Sequence, residues 1–166
     1  MNSWLSLKHR LDESIDRLAG PLGPLVLRLW LAQEFITAGW IKLSDSWSAP
    51  DWFRELSFPL PVSLLPADLN WVTAGLLETG LGLLLLVGLL GRLASLGLLF
   101  VTWVAVYSVH FDLGWAGWNQ IETDDGQGFK VPLMLGLMLL ALLAKGMGNW
   151  SLDHWLEGRT NSPRRH

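Results

Sequence analysis

The chain has 166 residues, enough for one ordinary domain. It is 51% hydrophobic and 16% charged, with eleven tryptophans, where a soluble domain carries roughly 25% charged residues. A net charge of −3 supplies no basic patch for nucleic acid, and the absence of cysteine excludes disulfides, thiolate metal sites, cysteine-ligated iron–sulfur clusters and a CxxC redox pair.

Residues 1–20 are too charged for the apolar core of a cleavable signal peptide. They read instead as an amphipathic helix on the cytoplasmic surface. Trp4, Leu7, Leu11, Ile15 and Leu18 recur at helical spacing, with Lys8/Asp12 and Glu13/Arg17 as i,i+4 pairs. Four apolar stretches follow, at 24–43, 71–90, 93–110 and 129–147. Each has 18 to 20 residues, the length that crosses a hydrocarbon core of about 30 Å. Runs such as "LGLLLLVGLL" carry no polar face at helical spacing, which argues against a soluble bundle. The expected fold is an all-α integral-membrane four-helix bundle.

Orientation follows from lysine and arginine. Lys8, Arg10 and Arg17 precede the first span, Arg92 sits in the turn between spans two and three, and Lys145, Arg159, Arg164 and Arg165 close the chain. The loop 44–70 has only Arg54 against four acids, and the loop 111–128 has no Lys or Arg. Both termini are therefore expected inside and both long loops outside. In the first outer loop "SAPDWFREL" reads as a short interfacial helix with Pro50 in its first turn, followed by a proline-rich cap. Trp40, Trp47, Trp71, Trp115, Trp118 and Trp150 fall near span ends, as an aromatic belt does.

The charges inside these spans are the features to explain. At about 1.5 Å per residue, Glu34 lies about 13 Å and Glu78 about 10 Å below the outer face. Lys42, His110 and Lys130 mark the outer ends of spans one, three and four, and Tyr107 lies one turn inside His110. Each span thus brings a polar group to one layer. An ionised group in mid-bilayer costs roughly 2.5–3.5 kcal/mol, so these carboxylates must face the protein interior and find partners. Two uses are open: interhelical hydrogen bonding, or a site for proton relay, a quinone or a polar substrate. Arg28 and Arg92 are assigned to the cytoplasmic face.

Other constellations are poor. His110 is the sole histidine near a span, so bis-histidine haem ligation is excluded; Met134 and Met138 read as core filler. "ETDDG" lacks the spaced oxygen ligands of a calcium loop and reads as a solvated turn, so no metal site is expected. Gly75, Gly80, Gly82 and Gly97 are expected to let helices two and three approach closely.

"LRLWLAQEFITAGWIKL", "ETGLGLLLLVGLLGRLASLGL" and "GFKVPLMLGLMLLALLAKGMGNWSLDHWL" resemble, in this order, the first, second and last helices of the DoxX family, across residues 24 to 157. "GFKVPL" after an acidic loop is similar to the HvfX subgroup, associated with maturation of small copper-related modified peptides. The resemblance implies a four-helix protein of the bacterial inner membrane, with a domain over 21–157 and a basic tail over 158–166. It further implies association with quinone-linked oxidoreductase complexes or with accessory roles. Glu78 and Arg92 carry over from the second-helix motif, Lys42 from the first, and Asp153 from the closing G-x-G-x-x-S-L-D signature, in which Met147 stands where a proline is usual. Glu34 does not carry over. Two functions remain: a quinone-interacting subunit beside a protein partner that holds the redox centre, or a non-enzymatic scaffold, chaperone or accessory factor. An inverted repeat, as in a transporter, is not seen.

Overall fold

The computed structural model describes residues 2–45 and 47–160. Helix α1 runs Asn2–Asp45, α2 Asp51–Arg54, α3 Ala67–Val87, α4 Gly91–Val109, α5 Lys130–Lys145 and α6 Leu152–Thr160. Short 3-10 turns at Val62–Leu64 and Gly114–Asn119 and a two-stranded ribbon, β1 Glu122–Thr123 with antiparallel β2 Gly126–Gln127, fill the two long loops. The acidic Asp124–Asp125 pair forms the tip of that ribbon and is exposed.

The chain is mostly helical, and among the described residues α3 and α4 are long and apolar enough to cross a membrane. Helix α5 is equally apolar but has 16 residues, about 24 Å. In α1 the expected surface helix and first span form one rod of 44 residues. Pro21 and Pro24 lie inside it. Each proline removes one backbone hydrogen bond, and the helix continues through both. Of the amphipathic pattern, the Arg17 and Leu18 side chains lie outside the described residues, as do 161–166 of the basic tail.

Along α3 the buried positions Trp71, Gly75, Glu78, Gly82 and Leu85 are spaced four and three apart, which makes one continuous stripe. Helix α1 lies on that stripe. A Cβ on Gly75 would meet Leu43 at 3.0 Å, and one on Gly82 would meet Ile36 at 2.9 Å. From the other side, a Cβ on Gly39 would meet the Gly75 carbonyl at 2.6 Å and the Thr79 amide at 2.7 Å. Gly75 and Gly82 therefore seat α1 rather than α4, and Gly80 faces open space. Only Gly97 serves the expected pair, admitting Leu81 of α3 to the surface of α4. Glycine spacing reveals that close packing occurs, not which neighbour uses it. Leu31, Phe35, Leu85, Leu98, Leu139 and Leu142 close a core shared by α1, α3, α4 and α5.

At the short-turn end, α3 stops in a Schellman motif. Gly88 takes φ 71°, and the N–H groups of Gly88 and Leu89 both donate to the Leu84 carbonyl. Asp153 then caps α4 from a distance: its carboxylate accepts from the Leu90 and Gly91 N–H groups at 2.8 and 3.0 Å. The closing signature explains the reach. Gly146 and Gly148 take positive φ, and the Ser151 hydroxyl accepts from the His154 N–H to start α6. Met147, at the position where proline is usual, is buried against Gly91. Buried Arg28 donates to the Met147 and Trp150 carbonyls at 3.3 and 2.8 Å. One arginine and one aspartate thus fasten α1, the α3–α4 turn and the segment after α5.

At the opposite, long-loop end, Asp68 accepts from Arg54 and from the Ala49 N–H at 2.8 Å each, and Asn70 donates to the Val62 and Leu65 carbonyls. Phe53 and Trp71 stack edge to face at 5.0 Å beneath the loop. Trp71 is therefore a core residue instead of a belt residue: it is 7% exposed and its indole N–H donates to the Lys42 carbonyl at 3.0 Å. Trp40, Trp47, Trp115, Trp118 and Trp150 are exposed.

Two outcomes follow for thermal unfolding in detergent. Gly39→Val should cost about 1–3 kcal/mol by overpacking against backbone atoms, whereas Gly80→Ala should be neutral or stabilising; equal costs would contradict the packing. Asp153→Ala should cost about 1–2 kcal/mol through the lost α4 cap, and no loss would contradict the capping role.

Candidate functional site

Glu78 lies three turns into α3 on the stripe that faces α1, and Lys42 lies in the last turn of α1. Close approach at Gly39 and Gly75 brings the two together: Lys42 Nζ sits 2.7 Å from Glu78 Oε2, with side chains 20% and 9% exposed. The ammonium also faces the Ala38 carbonyl at 3.4 Å and lies 5.8 Å from the centre of the Trp71 ring. The carboxylate is thus charge-paired and the ammonium has three neighbours, as a polar group held among apolar helices requires.

Beside this pair a cavity of about 600 Å³ opens between α3 and α4 at the long-loop end. Such a volume is within the range of small-molecule sites. Leu77, Phe100, Val101 and Val104 form apolar walls, and Trp52, Phe58 and Leu65 of the long loop form the roof. Polar groups enter at few points: Lys42, Glu78, Asn70, Thr73, Ser108 and His110. Asn70 is occupied by loop carbonyls. Ser108 differs from the other buried hydroxyls of α4. Ser95 and Thr102 donate to the carbonyls of Gly91 and Leu98, four residues back, whereas Ser108 Oγ is buried with no hydrogen-bond partner among the described residues. Its oxygen is covered by protein atoms in the cavity wall.

The six residues of the expected polar layer divide evenly. Lys42, Glu78 and His110 line one cavity, with Asp112 and Gln127 beside the imidazole. Tyr107 does not face it. It is 53% exposed on another side of α4, where it packs against Trp103. Lys130, at the start of α5, is half-buried outside the cavity lining. Glu34 is also half-buried and outside it. Five residues from Gly39 turn the helix by about 140°, which points Glu34 away from α3. The contributions of Ser108, Asn70 and the aromatic roof were not foreseen from sequence; the position of Ser108 near the end of an apolar run is the one signal that could have suggested it.

A second cavity of about 540 Å³ lies at the short-turn end, lined by Arg92, Lys145, Asp153 and His154 among others. Asp153 is already committed there to capping α4. Arg28 is buried nearby, so both cytoplasmic-face arginines named from sequence are at this end with Asp153. No group of three or more acidic, histidine or cysteine side chains that could hold a metal ion occurs among the described residues.

A family model of DoxX matches residues 23–111. A protein of Haemophilus influenzae, described only as uncharacterized, is 39% identical over 144 residues, covering 86% of this chain and 88% of its own length. No solved structure matches. The matched segment contains α1 from Gly23 onward, α3, α4 and the Lys42–Glu78 pair with its cavity. The chain belongs to the DoxX family, and its two bilayer-length apolar helices agree with a membrane protein.

Proposed function

We propose that this is a four-helix protein of a bacterial cytoplasmic membrane, with both termini inside and the long-loop end outside. Its cavity receives the headgroup of a quinone in service of a membrane redox system. The carrying observation is the composition of the cavity: apolar walls, a lysine–glutamate pair at one side and an unpartnered serine hydroxyl in the wall. A quinone has the matching chemistry, a flat apolar ring with two carbonyl acceptors. Lys42 and Ser108 supply donors, and Glu78, paired with Lys42, is the group through which a proton is exchanged. The placement of α1 and α5 as further spans rests on the apolar stretches 24–43 and 129–147 and on the lysine and arginine distribution. With no cysteine and one histidine near the spans, electrons pass through a partner protein that holds the redox centre.

A second reading is a non-enzymatic scaffold, chaperone or accessory factor, for example in maturation of a copper-related modified peptide. One observation favours it: Lys42 and Glu78 already satisfy one another, as a purely structural pair would.

A ubiquinone or menaquinone analogue titrated into protein in lipid nanodiscs distinguishes the two. Trp52 lines the cavity and Trp71 stacks against it at 6.0 Å, so quinone binding should quench tryptophan fluorescence saturably. Ser108→Ala should weaken binding about fivefold, the loss of one hydrogen bond of about 1 kcal/mol. Tyr107→Phe and Lys130→Gln, outside the cavity, should leave the affinity unchanged. An absence of saturable quenching would contradict the quinone reading and favour the scaffold.

A further inference from the structure

The cavity of about 540 Å³ at the short-turn end has no part in quinone binding, and most of its charge is unspent. Arg92 lies in the first turn of α4, Lys145 ends α5 and His154 lies in the first turn of α6, so three helices each bring a basic side chain to one hollow. Arg92 and Lys145 are exposed, and neither side chain makes a hydrogen bond or ion pair among the described residues. The two are neighbours: Arg92 Nη2 lies 4.0 Å from where a Cβ on Gly146, the residue after Lys145, would stand. The lining also holds two acids, Asp153 and Glu157. Asp153 is committed, because its two oxygens accept from the Leu90 and Gly91 N–H groups and the buried Arg28 guanidinium lies within its field. Glu157 is exposed on the next turn of α6. Against that one carboxylate stand two fixed cations and an imidazole, so the hollow favours an anion.

We infer that this hollow binds the phosphate of an anionic phospholipid headgroup at the inner face of the membrane. The planar guanidinium of Arg92 donates to two phosphate oxygens at once, and the Lys145 ammonium supplies a second charge. Basic pockets between spanning helices on the cytoplasmic side hold lipid headgroups in this way. The inference rests on the four-span arrangement, in which α4 begins and α5 ends at the level of the inner headgroups. Leu93 is exposed beside Arg92, and exposed Leu96 follows three residues deeper on the same face of α4. Together they form an apolar track for an acyl chain directly below the cations. Exposed Trp150 and Trp155 flank the hollow, as amphipathic rings do at headgroup level. A soluble phosphate would need only the cations; the adjoining apolar track selects a lipid.

Native mass spectrometry of the full chain in detergent, with phosphatidylglycerol and phosphatidylcholine supplied at equal concentration, tests this. Two cations worth about fivefold each should make the wild type retain phosphatidylglycerol about 25-fold over phosphatidylcholine. Arg92→Gln/Lys145→Gln should lose most of that preference. Glu157→Gln, which removes an acid from the same lining, should enlarge it, and this arm does not depend on how well the double variant folds. Lys8→Gln/Arg10→Gln, on the exposed first part of α1, should leave the preference unchanged. Equal retention of the two lipids by the wild type, or equal loss in the two double variants, would overturn the inference. Displacement of phosphatidylglycerol by inorganic phosphate would overturn it too, since the hollow would then serve a soluble anion. The Arg92→Gln/Lys145→Gln variant should bind the quinone analogue as the wild type does. Retention in detergent is also indifferent to which side of the membrane this end faces, so failure here is separable from failure of the quinone reading or of the orientation.

Discussion

A lysine and a glutamate 2.7 Å apart between two helices govern the rest of the site. Neither charge is tolerable alone among apolar side chains, and their attraction is effective only if the backbones come close. Gly39, Gly75 and Gly82 provide that approach, since a Cβ at any of them would touch the opposite helix. Trp71 adds a second tie by donating to the carbonyl of Lys42 itself. The α1–α3 contact is therefore tight at the level of the pair, and space is left on the other side of α3, toward α4.

The two ends of the molecule are built differently, and the contrast positions the cavity. At the short-turn end, Arg28 and Asp153 draw three segments together through backbone carbonyls and amides, and Gly97 lets Leu81 press into α4. At the long-loop end, α3 and α4 are joined by no such cluster. They leave a space of about 600 Å³ roofed by Trp52, Phe58 and Leu65. Ser108, at that end, lacks the carbonyl bond that Ser95 and Thr102 make lower in the same helix. A fixed base and an open, polar-tipped top suit a site for a lipophilic molecule with a polar head.

That Glu78, Lys42 and His110 belong to one end of the helices was legible in the sequence, and azimuth was not. Counting residues from the span ends put Glu78, Lys42 and His110 in one layer, and they line one cavity. The same count included Glu34, Tyr107 and Lys130, which face elsewhere, because the rotation of each helix is set by packing contacts that hydropathy does not encode. The long apolar helices α3 and α4 were legible from length alone. The continuity of α1 was not, since the charged residues 1–20 and the apolar stretch 24–43 differ in composition on either side of Pro21. The glycines of α3 announced close packing but not its partner. Ser108 was invisible because its significance is the absence of a bond, which no local pattern reports.

The interaction at the centre of this arrangement is best tested by a double-mutant cycle on the ion pair, read as unfolding free energy in a bilayer mimic. Lys42→Met and Glu78→Leu should each cost about 3 kcal/mol, because each leaves one charge without its partner, and the double variant should recover most of that loss. Costs that simply add in the double variant would mean that Lys42 and Glu78 act independently, and that the cavity does not depend on their pairing.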